Sequence, residues 1–274
     1  MIQKISTTVL FVSLSLGLAG AVRAQEKDAT QEAPDVQTIV NKANLVAYYQ
    51  GDDGKATVKM TITDKQGNTR QREFTILRKD VTDGGDQNYF VYFQRPADVR
   101  RMVYLVHKHA DVTKDDDRWL YMPALDLIKR IAASDTRTSF VGSDFVYEDV
   151  SGRSLELDTH ELTGTTDGQF IVKNVPKKPE LVEFAHFNVT IDRKTYMPMK
   201  MEYFDKDSGK LYRTIESQKV EEIEGLPTVT KSVVSDLRTG GKTEMEFTGV
   251  DYNIGIGDIF EERYMRRPPR EAMR

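Results

Sequence analysis

The chain has 274 residues, 30% of them charged and 39% hydrophobic, which admits one large domain or two small ones and excludes a polytopic membrane protein. Lys and Arg number 39 against 43 Asp and Glu, so no basic excess points to nucleic acid. Cysteine is absent, which excludes disulfides, thiolate metal sites and lipid attachment through an N-terminal Cys.

The first segment, "MIQKISTTVLFVSLSLGLAGAVRA", sets Lys4 before an apolar run from Val9 to Leu18 and ends on the small-residue pattern Val22-Arg23-Ala24. That is the layout of a secretory signal peptide over residues 1–24, cleaved after Ala24. The run is short and interrupted by Ser13, Ser15 and Gly17, which argues against a retained anchor. Removing it takes away Lys4 and Arg23 and no acid, leaving 37 bases against 43 acids and a net charge of −6. The expected location is the periplasm. Residues 25–34 are polar and lack periodicity, and are read as a flexible leader. In "DVQTIVNKANLVAYY" the residues Val36, Ile39, Val40, Ala43 and Ala47 recur at helical spacing after a cap at Asp35, and "GDDG" at 51–54 ends the helix.

From Lys55 the period changes to two. Ala56, Val58, Met60 and Ile62 share one face of "KATVKMTIT", the turn "DKQGN" follows, and Phe74 and Ile76 share a face of the returning "TRQREFTILRK". Further strands are predicted in "NYFVYFQR", "RMVYLVHKH", "RWLYM", "LIKRIA", "QFIVKNV", "LVEFAHFNVTID", "PMKMEYFD", "KLYRTIES", "TVTKSVVSD" and "KTEMEFTGV", with hairpin turns at 205–209 and 238–241. A long antiparallel meander must curl or leave one face bare, and only the N-terminal helix and short pieces near 143–150 and 258–265 are available to cover it. The fold class predicted is therefore mainly β with a few helices: a curved antiparallel sheet around helices, forming one domain over residues 35–265. The basic tail, residues 266–274, reads as frayed rather than as a docking patch for an acidic partner.

Few residues offer chemistry. His107 and His109 share a strand face as a metal site requires, but the other histidines, His160 and His186, stand apart from them, and no metal is expected. "DKDSGKLYRTIE" imitates a calcium loop but carries Lys210 where the sharp turn needs Gly, so a hairpin turn is preferred. Ser143 in "VGSDF" lacks the second Gly of a nucleophile elbow; Ser143 or Asp144 is expected to start a helical turn by accepting backbone N–H bonds. No cofactor motif is present. What remains is an abundance of apolar positions. Leu181, Ala185, Phe187, Val189 and Ile191 form a stripe joined by Met199, Met201 and Tyr203 and by Met245 and Phe247. With Val58, Met60, Ile62, Phe74 and Ile76 they line either an ordinary filled core or the wall of a hollow.

"DDDRWLYMPALDLIKRIAASDTRTSFVGSDFVYEDVSGR", residues 115–153, resembles the LolA-like outer-membrane lipoprotein-sorting protein family, as does the later "YFDKDSGKLYR". The likeness is dense in the middle and extends more loosely from Lys55 to Arg263. It implies an unclosed antiparallel half-barrel with a helical lid, whose hollow holds the acyl chains of a lipid or lipoprotein. It also implies a structural role for "SFVGSDFVYED": Phe140, Phe145 and Tyr147 pack a short helix into the half-barrel, while Gly142, Ser143, Asp144 and Asp149 shape its turn. Trp119, Tyr121 and Pro123 belong to the same motif, with Arg130 paired to a carboxylate. The protein so implied is a monomeric periplasmic carrier without enzymatic activity or cofactor, meeting an inner-membrane transporter or an outer-membrane acceptor. The alternative is an accessory docking protein of an envelope export system that carries no cargo.

Overall fold

The computed structural model describes residues 34–273; the expected signal peptide and its cleavage point, residues 25–33 of the leader and the last residue of the tail lie outside the described residues. Helix α1 runs Val36–Tyr48, one carboxylate oxygen of Asp35 accepting the Thr38 N–H at 2.9 Å. Its apolar stripe buries Ile39, Val40 and Ala43.

Six strands follow as a meander: β1 Asp53–Thr63, β2 Thr69–Asp80, β3 Gln87–Arg95, β4 Val103–Lys108, β5 Asp117–Met122 and β6 Leu127–Arg130. After the short helix α2, Tyr147–Ser151, seven more complete the sheet. They are β7 Asp158–Thr165, β8 Gln169–Pro176, β9 Phe184–Asp192, β10 Pro198–Asp205, β11 Leu211–Ile223, β12 Leu226–Asp236 and β13 Gly241–Tyr252. All ladders are antiparallel, and the 13-stranded order β6-β5-β4-β3-β2-β1-β13-β12-β11-β10-β9-β8-β7 is unclosed, with β6 and β7 at its edges. Only β7 has no counterpart among the strands predicted from sequence. Its "DTHELTGT" is a polar edge strand that buries Asp158 alone, so the alternation carried no apolar signal.

This topology places β6 and β7, neighbours in sequence, at opposite edges of the sheet. The connection 131–157 must therefore cross the sheet, and it does so on the concave face. Phe140 is fully buried there, its ring centroid 5.8 Å from Phe93 and 5.5 Å from Tyr104, and Tyr147 packs on the rings of Tyr104 and Phe140. On the other face, Leu77, Phe90, Val103 and Leu105 are covered by the C-terminal segment through Ile256, Phe260, Met265 and Ala272. Burial from both sides explains why "NYFVYF" and "VYLV" read as continuous apolar runs rather than alternating ones.

The tail is not frayed. Helices α3, Glu262–Arg266, and α4, Arg270–Met273, bury Met265 and Ala272 completely, and Arg266 Nε reaches Asp126 Oδ1 at 2.9 Å. Two small apolar contacts within a basic stretch suffice to dock it, because the outer face of β2 to β4 is apolar. The stripe drawn through Leu181 is also corrected. Leu181 is 69% exposed because it ends the 3-10 turn Pro179–Leu181 ahead of β9, and within β9 the register shift between the pairs His186–Phe204 and Phe184–Asp205 reverses the parity, which buries Phe184 in place of Ala185. The turn at 205–209 is the expected hairpin: Asp205 Oδ1 accepts the Ser208 N–H at 2.8 Å, and Gly209 supplies φ +66°.

Candidate functional site

The curved sheet, the crossing segment and α1 surround a half-open cavity of about 420 Å³. One wall is Phe187, Val189 and Ile191 of β9 with Met201 and Tyr203 of β10; the facing wall is Met245 and Phe247 of β13 with Phe74 and Ile76 of β2. Val40, Ala43 and Ala47 of α1 cover it. The size falls within the ~300–1,000 Å³ of ordinary small-molecule sites, which are likewise mostly apolar with a few fixed polar groups.

Nine of the fifteen apolar residues named from sequence for this wall thus stand on it; Leu181, Ala185 and four others do not. Val58, Met60 and Ile62 are packed against Phe74, Phe93 and Phe140 in the closed core beneath the crossing segment. Met199 is turned off the wall by a second irregularity, between the pairs Pro198–Ile191 and Lys200–Thr190, which gives its place to Met197 and Pro198. The α1 stripe and Ile215 of β11 also line the cavity; the helical stripe was legible in the sequence, its role as a cover was not.

The polar side of the chamber is built by the motif segment. Ser143 does not cap a helix. Its hydroxyl donates to the Phe140 carbonyl at 2.7 Å, and the α2 N-terminus is instead held by Asp149, whose carboxylate accepts the Val146 N–H at 2.7 Å. Asp144 accepts the Thr243 hydroxyl at 2.6 Å, which ties the segment to β13. Asp149 also pairs with Arg213 of β11, tying it to the far arm of the sheet. Gly142, at φ +77°, makes the turn that Phe140 and Phe145 flank. Arg130 pairs with Asp117 on the outer β5–β6 edge, Trp119 packs its edge on His107 at 5.1 Å, Tyr121 is buried under the C-terminal segment, and Pro123 opens a 3-10 turn.

Beside α2 runs a chain of matched charges. Glu183 receives Arg137 Nε and Nη2 at 2.8 Å each, Arg137 also meets Glu148, Glu148 meets Arg153 at 3.0 Å, and Arg153 closes on Asp158 at 2.8 Å. The guanidinium groups of Arg137 and Arg153 lie 4.9 and 5.4 Å from the Phe184 ring. Burial opposes ionisation of Glu183, but the hydrogen bonds and charge of Arg137 outweigh it and hold the carboxyl at about 2. The same balance, with Arg137 and Arg153 overcoming burial, keeps Glu148 below its ordinary value.

Arg78 follows Phe74 and Ile76 on the inner face of β2, a charged residue in the apolar stripe as Arg72 is ahead of them. Arg78 donates to the carbonyls of Tyr48, Gln50 and Gly51 at 2.7, 2.6 and 2.7 Å, so it fastens the C-terminal end of α1 to the sheet. A charged residue in an apolar stripe is the signal that could have marked it. His107 and His109 are not brought to a common site: His107 Nε2 faces the Phe260 carbonyl at 2.7 Å, while His109 follows the end of β4 and lies between Asp86 and Asp117 at 3.4 and 3.3 Å.

An unclosed antiparallel half-barrel with a helical cover is a fold this chain shares with solved lipoprotein-sorting-like structures. The model of a family described as an uncharacterized protein family matches residues 85–267, more than half of the chain, and the chain belongs to that family, DUF1329. A crystal structure of a DUF1329 family protein from Desulfovibrio piger is 28% identical, covering 85% of this chain and all of that one with a TM-score of 0.76. A putative outer membrane lipoprotein-sorting protein domain from Vibrio parahaemolyticus is 24% identical over 85% of this chain and 98% of that one, TM-score 0.75. A LolA superfamily protein from Nitrosomonas europaea is 18% identical over 85% of this chain and 100% of that one, TM-score 0.64. No curated protein matches.

Proposed function

We propose that the protein is a periplasmic carrier that shelters acyl chains of a lipid or lipoprotein in the half-barrel chamber, delivering them without chemical change. The reading rests on one observation: side chains from both arms of the sheet, Phe187, Val189 and Met201 on one and Phe74, Ile76 and Phe247 on the other, face the same space under α1 instead of interlocking. An acyl chain moved from water into that space gains about 0.8 kcal/mol per methylene, enough to hold a long chain without any covalent step. The kinship with a lipoprotein-sorting domain supports the cargo class, and the signal-like N-terminus with cleavage after Ala24 supports the compartment. Delivery implies an inner-membrane donor and an outer-membrane acceptor.

Phe247 is only half-buried on the chamber wall, so Phe247→Glu can hydrate its charge there. Protein taken from an envelope fraction should carry acyl-bearing mass in native mass spectrometry, and Phe247→Glu should fold but lose it. Native protein that arrives bare and fails to take up a fluorescent fatty acid would replace the carrier by the docking protein without cargo.

A further inference from the structure

The chamber ends against a second space of different character. A cleft of about 410 Å³ lies where the two arms of the sheet approach each other, with Gly84 and the stretch Lys108, His109 and Ala110 on one side and His160 and Lys177 on the other. The polar flank of α1, Gln37, Asn41 and Asn44, runs over it. Asn44, Ser154, Leu155, Asp158 and His160 border both the cleft and the apolar chamber, so the two adjoin along one wall.

Lys108 is the unusual member of this cleft. It is 5% exposed, at the end of β4, and among the described residues its ammonium group makes one hydrogen bond, to the Ser151 carbonyl at 2.7 Å, and lies 5.2 Å from the centre of the Tyr48 ring. An ammonium carries three N–H donors, and a buried one with donors to spare is costly unless something accepts from it. The carboxylates close by are already engaged: Arg118 holds Asp116 at 2.6 Å, and Arg153 holds Asp158 and Glu148. Lys177 adds a second cation at the edge, its ammonium on the Glu156 carbonyl at 2.8 Å. Glu156 is the one exposed carboxylate of the lining.

We infer that the ligand is an anionic amphiphile, its chain in the apolar chamber and its carboxylate or phosphate head in the seam cleft, accepting a hydrogen bond from Lys108. This deepens the carrier reading and rests on it. The cleft then reads the head while the chamber accepts chains, which gives the protein a preference that apolar burial alone cannot provide. Burial also draws Lys108 down to about 8, so the ammonium form that an anion needs is retained at neutral pH but held at a cost which an anion would relieve.

Dodecanoate, dodecyl phosphate and dodecan-1-ol share one chain and differ in the head, so their competition against a fluorescent apolar probe tests the assignment, with acetate and inorganic phosphate as heads without a chain. The native protein should bind both anions about tenfold or more tightly than the alcohol, the worth of a charged hydrogen bond. Lys108→Met, close in length and free of the buried charge, should bind all three alike with alcohol affinity unchanged. Whichever of the two anions wins by the larger factor identifies the head. Equal binding of the three by the native protein, or a preference that survives Lys108→Met, overturns the inference and leaves the carrier reading standing. Acetate or phosphate competing as strongly as the chained anions overturns it too, since the cleft would then act apart from the chamber. Failure of all three amphiphiles to bind the native protein overturns both readings together.

Discussion

The backbone of Gly152 lies flat against the ring of Tyr48, so closely that a Cβ at Gly152 would stand 2.5 Å from the ring's Cζ. This one contact joins the last residue of the α1 cover to the exit of the crossing segment. It requires glycine twice over, for the space and for a φ of +79° with an extended ψ of 152°, a region essentially closed to other residues. Gly152→Ala should therefore lose about 2–5 kcal/mol of unfolding free energy, read from the urea midpoint. A neutral substitution would mean that α1 and the crossing segment are not packed together in solution.

Arg78 should control how firmly the cover is held. Arg78→Met removes the donors to the Tyr48, Gln50 and Gly51 carbonyls, while the sheet around it keeps its own ladder. Amides of α1 should exchange with deuterium about tenfold faster or more, with much smaller changes in β1 and β13. Uniform loss of protection across the sheet would show that Arg78 supports the whole fold rather than the cover.

Arg213 and Asp149 are both almost fully buried, and Asp149 also holds the start of α2. Arg213→Met leaves that carboxylate without its counter-charge and should cost about 3–5 kcal/mol. The double variant with Asp149→Asn should recover part of the loss, a coupling that a double-mutant cycle measures directly. Ser143→Ala, which removes a single hydroxyl bond to a backbone carbonyl, should cost only about 1 kcal/mol, and a fluorophosphonate probe should leave Ser143 unlabelled.

Acid should remove the stabilisation that the Glu183–Arg137 pair provides. The folded carboxyl sits at about 2 against an ordinary 4.5, so the native state binds fewer protons than the unfolded chain between those values. The stabilisation is complete above the ordinary value and is lost as the pH falls toward about 2. Glu183→Gln should flatten the dependence of the urea midpoint over about pH 5 to pH 2. An unchanged slope would assign acid sensitivity to other carboxylates.

Much of this molecule was legible because it is local. Alternation in "KATVKMTIT" and "TRQREFTILRK", turn chemistry at Asp205 and Gly209, and the helical spacing from Val36 to Ala47 each depend on neighbours within a few residues, and the strands and first helix formed where those patterns stood. The motif resemblance carried the half-barrel class. The sequence by itself thus determined which faces are apolar. What covers each face was decided only by the tertiary structure, because Val58 and Met60 carry the same signal as Val189 and Met201, yet the crossing segment fills the space above the first pair and leaves the space beside the second open. Two register shifts, at Met199 and beside Phe184, reversed the parity of single positions, since a bulge depends on the partner strand as well as on its own residues. The pairing of Arg213 with Asp149, the reach of Arg78 to α1 and the burial of Lys108 bring together residues remote in sequence, and no local pattern encodes which charge will meet which once the sheet has curled.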